Sequence, residues 1–152
     1  MLAIKKILYP CDLTPHSSKI LQYALALADT FGSRVCILHV VPDLRSWAGL
    51  YMPHKHLDLE QKEVEEHAQQ SVVRFCLDFP AARTNAEKRV VSGEPAEEIL
   101  KFTKKEGADL IVMGTHGRKG IEYSLFGSVA ARVVRFSPVP VLTVNPESFP
   151  MT

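Results

Sequence analysis

No run in the 152 residues approaches the about 18 consecutive apolar residues of a membrane-spanning helix. The opening MLAIKKILYPCD has two lysines among short apolar pieces, so neither a signal peptide nor a spanning segment is expected. An excess of one charge is also missing: 18 Lys and Arg stand against 17 Asp and Glu, a formal net charge of +1. No nucleic-acid or membrane partner is therefore expected, although a local basic cluster is not excluded. Cysteine is scarce, with only Cys11, Cys36 and Cys76, and no CxxC pair for zinc or redox work. Free thiols in a reducing cytoplasm are the natural reading, with Cys36 in the core and Cys11 near the surface after the first strand. Three motifs are absent as well. There is no GxxxxGK[ST], no GxGxxG after the first strand and no GxSxG, which argues against a Walker-type loop, a dinucleotide fold and an α/β-hydrolase.

What is present is a regular alternation of apolar runs and helical patterns. KKILYP reads as a strand stopped by Pro10, and Thr14–Pro15 as the N-cap and first turn of a helix ending at Gly32. RVCILHVV is a second, nearly continuous apolar strand. Residues 42–56, with two prolines and no period, read as a long loop. The helix after it carries Val64, Ala68, Val72 and Phe75 on one side and an acidic outer face. AEKRVV is a third strand. The helix from Pro95 has acidic Glu97 and Glu98 early, Lys104 and Lys105 late, and Gly107 as its stop. ADLIVMG, GSVAARVVRF and PVPVLTV complete a β-α-β-α-β-α-β-α-β order. Such alternation implies an open five-stranded parallel sheet covered by helices on both faces. With the first strand central, the order is 3-2-1-4-5, and ligands are expected beyond the carboxyl ends of strands one and four, at YPCDLT and GTHGRKG. One domain over residues 1–146 is expected, with 147–152 as a short tail.

The stretch MGTHGRKGIEYSLFGSV, residues 113–129, lies at that point. Gly114 and Gly117 permit sharp turns and close approach to a ligand, and Gly127 with Ser128 repeats the provision. Converging backbone N–H groups at a helix start suit an anion, and Ser128 is a candidate N-cap whose hydroxyl could reach a phosphate. Composition alone favours a mobile turn, but the position between a buried strand and a helix favours a phosphate cradle.

The spacing G-x2-G-x9-G-[ST], here Gly114, Gly117, Gly127 and Ser128, resembles that of the ATP-binding members of the universal stress protein family. The likeness extends to KKILYPCDLTPHS, ILHVVPD, VSGEPAEEIL, ADLIVMGTHGRKG and SPVPVLTV, nearly the whole chain. It implies a Rossmann-like fold and an adenine-nucleotide site. Asp12 would lie near the adenosine with Pro10 before it, and the Val40 backbone would read the adenine edge. Met113 and Gly114 would line the ribose, and Gly117, Gly127, Ser128 and Val129 would wrap the phosphates. It further implies ATP with Mg or Mn at the phosphates, a cytoplasmic stress-response role, and a homodimer through the last strand, Val139–Val144.

Other residues leave alternatives open. Asp12 could be a turn residue, although its place at the crevice favours a ligand role. His116 could approach a phosphate or face solvent; Arg118 and Lys119 could contact phosphate or remain solvated. His54 and His56 hint at metal only on a strand-like backbone. His39 reads as a hydrogen-bonded core residue. Trp47, Tyr51 and Met52 cover apolar surface, or form a lid. Two functions follow: a regulatory nucleotide-binding protein with at most slow hydrolysis and an unknown protein partner, or an ATPase or phosphoryl or adenylyl transferase. The absence of a convincing acid–base pair favours the first.

Overall fold

The computed structural model describes residues 2–48, 53–116 and 126–147. Along the chain run β1 (Lys6–Pro10), α1 (Ser17–Phe31), β2 (Arg34–Val41), α2 (Leu44–Ala48), α3 (His54–Phe75), a 3-10 turn (Cys76–Asp78), α4 (Pro80–Thr84), β3 (Ala86–Ser92), α5 (Pro95–Glu106), β4 (Leu110–Gly114), α6 (Ser128–Phe136) and β5 (Val141–Val144). The sheet is parallel throughout with order β3-β2-β1-β4-β5, as the alternation predicts. Strand order reverses between β1 and β4.

Side chains alternate across the sheet and divide the core in two. Ile7, Tyr9, Val35, Ile37 and Val112 face α1 and the end of α3, where Leu21, Ala24 and Val72 meet them. Leu8, Cys36, Leu38, Ile111 and Met113 face α5 and α6, against Ala96, Ile99, Phe102, Ala130 and Val133. Burial of each fully enclosed Ile, Leu or Val contributes about 1.5–3 kcal/mol. Gly32 and Gly107 end α1 and α5 in the left-handed region, with φ of 65° and 64°.

Several boundaries differ from the sequence expectation. Residues 42–56 contain α2, and α3 already begins at His54. His54 and His56 thus occupy the first turn of a helix and not the strand-like backbone that a metal pair at this spacing would need. α4 was not expected; Pro80 at its first position is compatible with a helix start. α1 begins at Ser17 rather than beside Thr14, because Asp12 engages Thr14 instead. The N–H and hydroxyl of Thr14 donate to Asp12 Oδ1 at 3.1 and 2.7 Å, and the helix cap falls on His16. α5 has a cap that composition did not reveal: the Glu94 carboxylate accepts from Ala96 and Glu97 N–H.

Candidate functional site at the carboxyl end of the sheet

β1 leaves the sheet after Pro10, with one last bond from Cys11 N–H to Leu38 O at 2.8 Å. β2 continues to Val41, paired only with β3. In a parallel ladder successive residues turn their N–H and C=O to opposite neighbours. Leu38 faces β1, and Val41 faces β3, where its oxygen accepts Gly93 N–H at 2.9 Å. Val40 therefore presents both backbone groups towards the β1 side, past the point where β1 has turned away. A donor and an acceptor side by side can hydrogen-bond the edge of a base.

The loop after β1 is held rigidly. Asp12 Oδ1 accepts the Thr14 N–H, the Thr14 hydroxyl and the Ser17 hydroxyl. Its second oxygen takes no bond among the described residues. Leu13, between them, sits in the left-handed region at φ 59°, which costs a non-glycine residue about 1–2 kcal/mol. Leu13 packs on the first core, and the Asp12 bonds hold the turn. Asp12 is thus a turn residue, with all three of these bonds on one oxygen.

Below the loop, Tyr9 donates its hydroxyl to Ser17 O at 2.7 Å, and the ring is buried. Cys11 is buried as well, contrary to the exposed position expected of it, and burial pushes its thiol up to about 11. It therefore supplies no thiolate near neutral pH. His39 Nδ1 lies 2.7 Å from Cys11 O, fastening β2 to the loop; the expected hydrogen bond is present, but the residue is half-buried and outside both core clusters.

On the other side of β1, Gly114 ends β4. A Cβ built there would come within 2.5 Å of Ile20 Cδ1, so a side chain at this position would require the end of Ile20 to move aside. The Met113 side chain is buried in the second core, and its backbone lies in the ladder with β5. Thr115 is buried; its N–H donates to Val144 O at 3.0 Å and its oxygen accepts Gly127 N–H at 2.6 Å. The two ends of the glycine-rich segment are thereby tied together. Thr115 Oγ1 also lies 2.8 Å from His116 Nδ1.

α6 starts directly at this clasp. Gly127, not Ser128, is its N-cap, and its oxygen accepts Ala131 N–H at 2.9 Å. The N–H groups of Ser128, Val129 and Ala130 at the first three helical positions have no partner within the helix and form an anion-binding end. Ser128 is exposed at that end and Val129 half-buried. Gly117, Arg118 and Lys119 lie outside the described residues, as do Tyr51 and Met52. Pro10, Asp12, Val40, Gly114, Gly127 and Ser128 thus all fall at the carboxyl ends of β1, β2 and β4 or at the start of α6. From Val40 on β2 across β1 to β4 is two strand spacings, about 10 Å, comparable with the reach from a base edge to a 5′-phosphate chain.

Sequence reasoning missed Ser17, Gln61 and Thr115, the polar residues buried behind the crevice. Gln61 had a signal, a polar side chain on the same helical face as Leu57, Ala68 and Val72.

A model of the universal stress protein family matches residues 3–145. Universal stress protein MJ0531 of Methanocaldococcus jannaschii is 34% identical over 141 residues, covering 93% of this chain and 82% of its own. MJ0577 of the same organism is 30% identical over 153 residues, covering 93% and 94%. The solved structure of MJ0577 superposes with a TM-score of 0.79 at 28% identity, over 93% of this chain and 96% of that one. A universal stress protein in complex with cAMP shares the fold at a TM-score of 0.67 and 23% identity, over 95% and 98%.

Proposed function

The chain belongs to the universal stress protein family, and on that premise we propose that it is a regulatory module that binds ATP at the carboxyl end of its sheet. The observation that carries this reading is the clasp between Thr115 and Gly127. It brings the free N–H groups of α6 to the point where strand order reverses. The phosphates would lie against Ser128 and Val129, with Gly117 and Arg118 completing the cradle. The ribose would pass Met113 and Gly114, and the adenine edge would meet the Val40 backbone beside Pro10 and Asp12. Mg or Mn would bind phosphate oxygens together with hard oxygen donors such as the Ser128 hydroxyl, and neutralise phosphate charge. The relative that holds cAMP supports the fold as a home for adenine nucleotides.

A slow or absent hydrolytic activity fits the state of the polar groups nearby. Asp12 Oδ1 is committed to three bonds of its turn, and the His116 ring contacts the Thr115 hydroxyl rather than Asp12 in any bond among the described residues. The proposed partner surface is β5 with its flank, Val139–Val144, joining a second copy. β5 is an edge strand, and Leu142 and Phe136 beside it are 40% and 59% exposed. The rest of the proposal is one domain over residues 1–146, working in the cytoplasm with a protein partner in stress response. Among the described residues no helix is long and apolar enough to cross a membrane.

Mass spectrometry of the nucleotide released from freshly purified protein tests the reading. ATP, or its product, at near-stoichiometric yield is expected; a protein that releases nothing and shows no heat on ATP titration would contradict it. Single-turnover hydrolysis faster than roughly one per second, within the ordinary enzyme range, would replace the regulatory reading with an enzymatic one.

A further inference from the structure

Four polar residues are buried among the described residues: Ser17, Gln61, Thr103 and Thr115. Thr103 returns its hydroxyl to Ile99 O within its own helix. Each of the other three holds one of the connections that border the crevice. Ser17 fixes Asp12, Thr115 fixes Gly127, and Gln61, from the middle of α3, fixes the chain that follows Val40.

The bonds of Gln61 are directional. Leu44 N–H donates to Oε1 at 2.8 Å, which sets the orientation of the carboxamide. Nε2 then faces Pro42 O at 3.3 Å, Ser92 Oγ at 2.9 Å and Glu65 Oε1 at 3.2 Å. Ser92 passes its own proton to Glu65 Oε1, so its lone pairs are free to accept from Nε2. The Gly93 N–H bond to Val41 O adds a further tie. The segment just after Val40 is thus held at Val41, Pro42 and Leu44, two of those three ties running through Gln61.

We propose that Gln61 is a positioning residue for base recognition: it never touches the nucleotide, but sets the place of the Val40 N–H and C=O and so the preference for adenine. This inference rests on the nucleotide reading above. Adenine offers an N–H donor beside a ring-nitrogen acceptor, whereas guanine offers a carbonyl acceptor beside a ring N–H. A backbone pair held in place accepts the first pattern and opposes the second. A pair free to move loses that discrimination, because discrimination by hydrogen bonding depends on mismatched groups being left unpaired.

The test is Gln61→Met, close in volume but without hydrogen-bonding groups. ATP, GTP and inorganic tripolyphosphate are each titrated by calorimetry into wild type and variant. The expected result is a roughly tenfold loss of ATP affinity, a small change for GTP and a collapse of the ATP-to-GTP ratio. Tripolyphosphate, which needs only the cradle, should bind both proteins alike. In the ligand-free protein the Leu44 amide should exchange faster in the variant. An unchanged ATP-to-GTP ratio overturns the inference while the nucleotide reading stands, and equal losses of ATP and tripolyphosphate overturn it in favour of a general structural role. A wild type that binds none of the three overturns the nucleotide reading and the inference with it. If Gln61→Met does not fold, Gln61→Asn, one methylene too short for these bonds, takes its place; it should lower the ratio at least about threefold, and an unchanged ratio overturns the inference.

Discussion

The two ends of the sheet are built differently. At the amino end the connections from α1 to β2 and from α5 to β4 are short, and charged or small side chains tie them. Asp109 Oδ2 accepts Lys5 and Lys6 N–H at 2.8 and 3.0 Å, Lys6 Nζ lies between Glu87 and Glu106, and Ser33 reaches Ile4 O. At the carboxyl end the connections from β1 to α1 and from β4 to α6 are longer, and buried polar residues hold the loops from behind while backbone groups of Val40 and α6 face outward. The first arrangement closes the fold. The second holds a surface open in one shape, as a binding site requires. Changes at the carboxyl end should therefore alter binding more than stability, and changes at the amino end the reverse.

The largest expected separation comes from Gly127→Val. Its φ of −66° and ψ of 163° are open to any residue, so the fold should persist while the side chain blocks the phosphate path. ATP affinity should fall by at least about 100-fold, roughly 2.7 kcal/mol, by calorimetry, with an unchanged melting temperature. Wild-type affinity would remove Gly127 from the cradle. Gly114→Val should blur the division, since its Cβ would meet Ile20 Cδ1 at 2.5 Å. Urea melts should show a loss of about 1–3 kcal/mol, and adding Ile20→Val, which deletes Cδ1, should restore most of it.

The sheet interior, shared by both ends, should respond to alkaline pH. Burial raises the thiols of Cys11 and Cys36 from 9.0 to about 11 and about 12. In the unfolded chain they ionise near 9, so between pH 9 and 11 the unfolded state binds fewer protons than the folded one. Stability contributed by the neutral buried thiols is complete below pH 9 and declines above it, by up to about 1.4 kcal/mol per pH unit for each thiol. Cys36→Ala should flatten that decline in chemical melts; an equally steep decline would assign it to other groups. The smallest effect is expected at the amino end. Asp109→Ala should cost about 1 kcal/mol, because two backbone N–H groups lose their acceptor. ATP affinity should not move, and a tenfold change would erase the distinction between the ends.

Much of this was legible in the sequence where the physical signal is local or periodic. The apolar runs RVCILHVV and LIVMG, the helix stops at Gly32 and Gly107, and the glycine spacing 114–117–127 all carry such signals, and the sheet order follows from the alternation. The harder cases depend on competition between partners. Thr14 looked like a helix cap until Asp12 claimed its N–H and hydroxyl. Cys11 looked exposed because it follows a strand, but the loop folds back over Tyr9 and buries it. Gly114 reads as a ligand glycine from its spacing, and only the fold shows that a side chain there would also crowd Ile20 Cδ1. Gln61 broke the apolar pattern of α3, but its partners Pro42, Leu44 and Ser92 lie on segments that only the fold brings together.

Amide chemical shifts during an ATP titration test most directly where the nucleotide sits. The largest shifts are expected at Val40 and at Ser128, Val129 and Ala130, with none at Gly32, Gly107 or Asp109. Shifts concentrated at those amino-end residues, or saturating shifts that leave both Val40 and α6 unmoved, would contradict that placement.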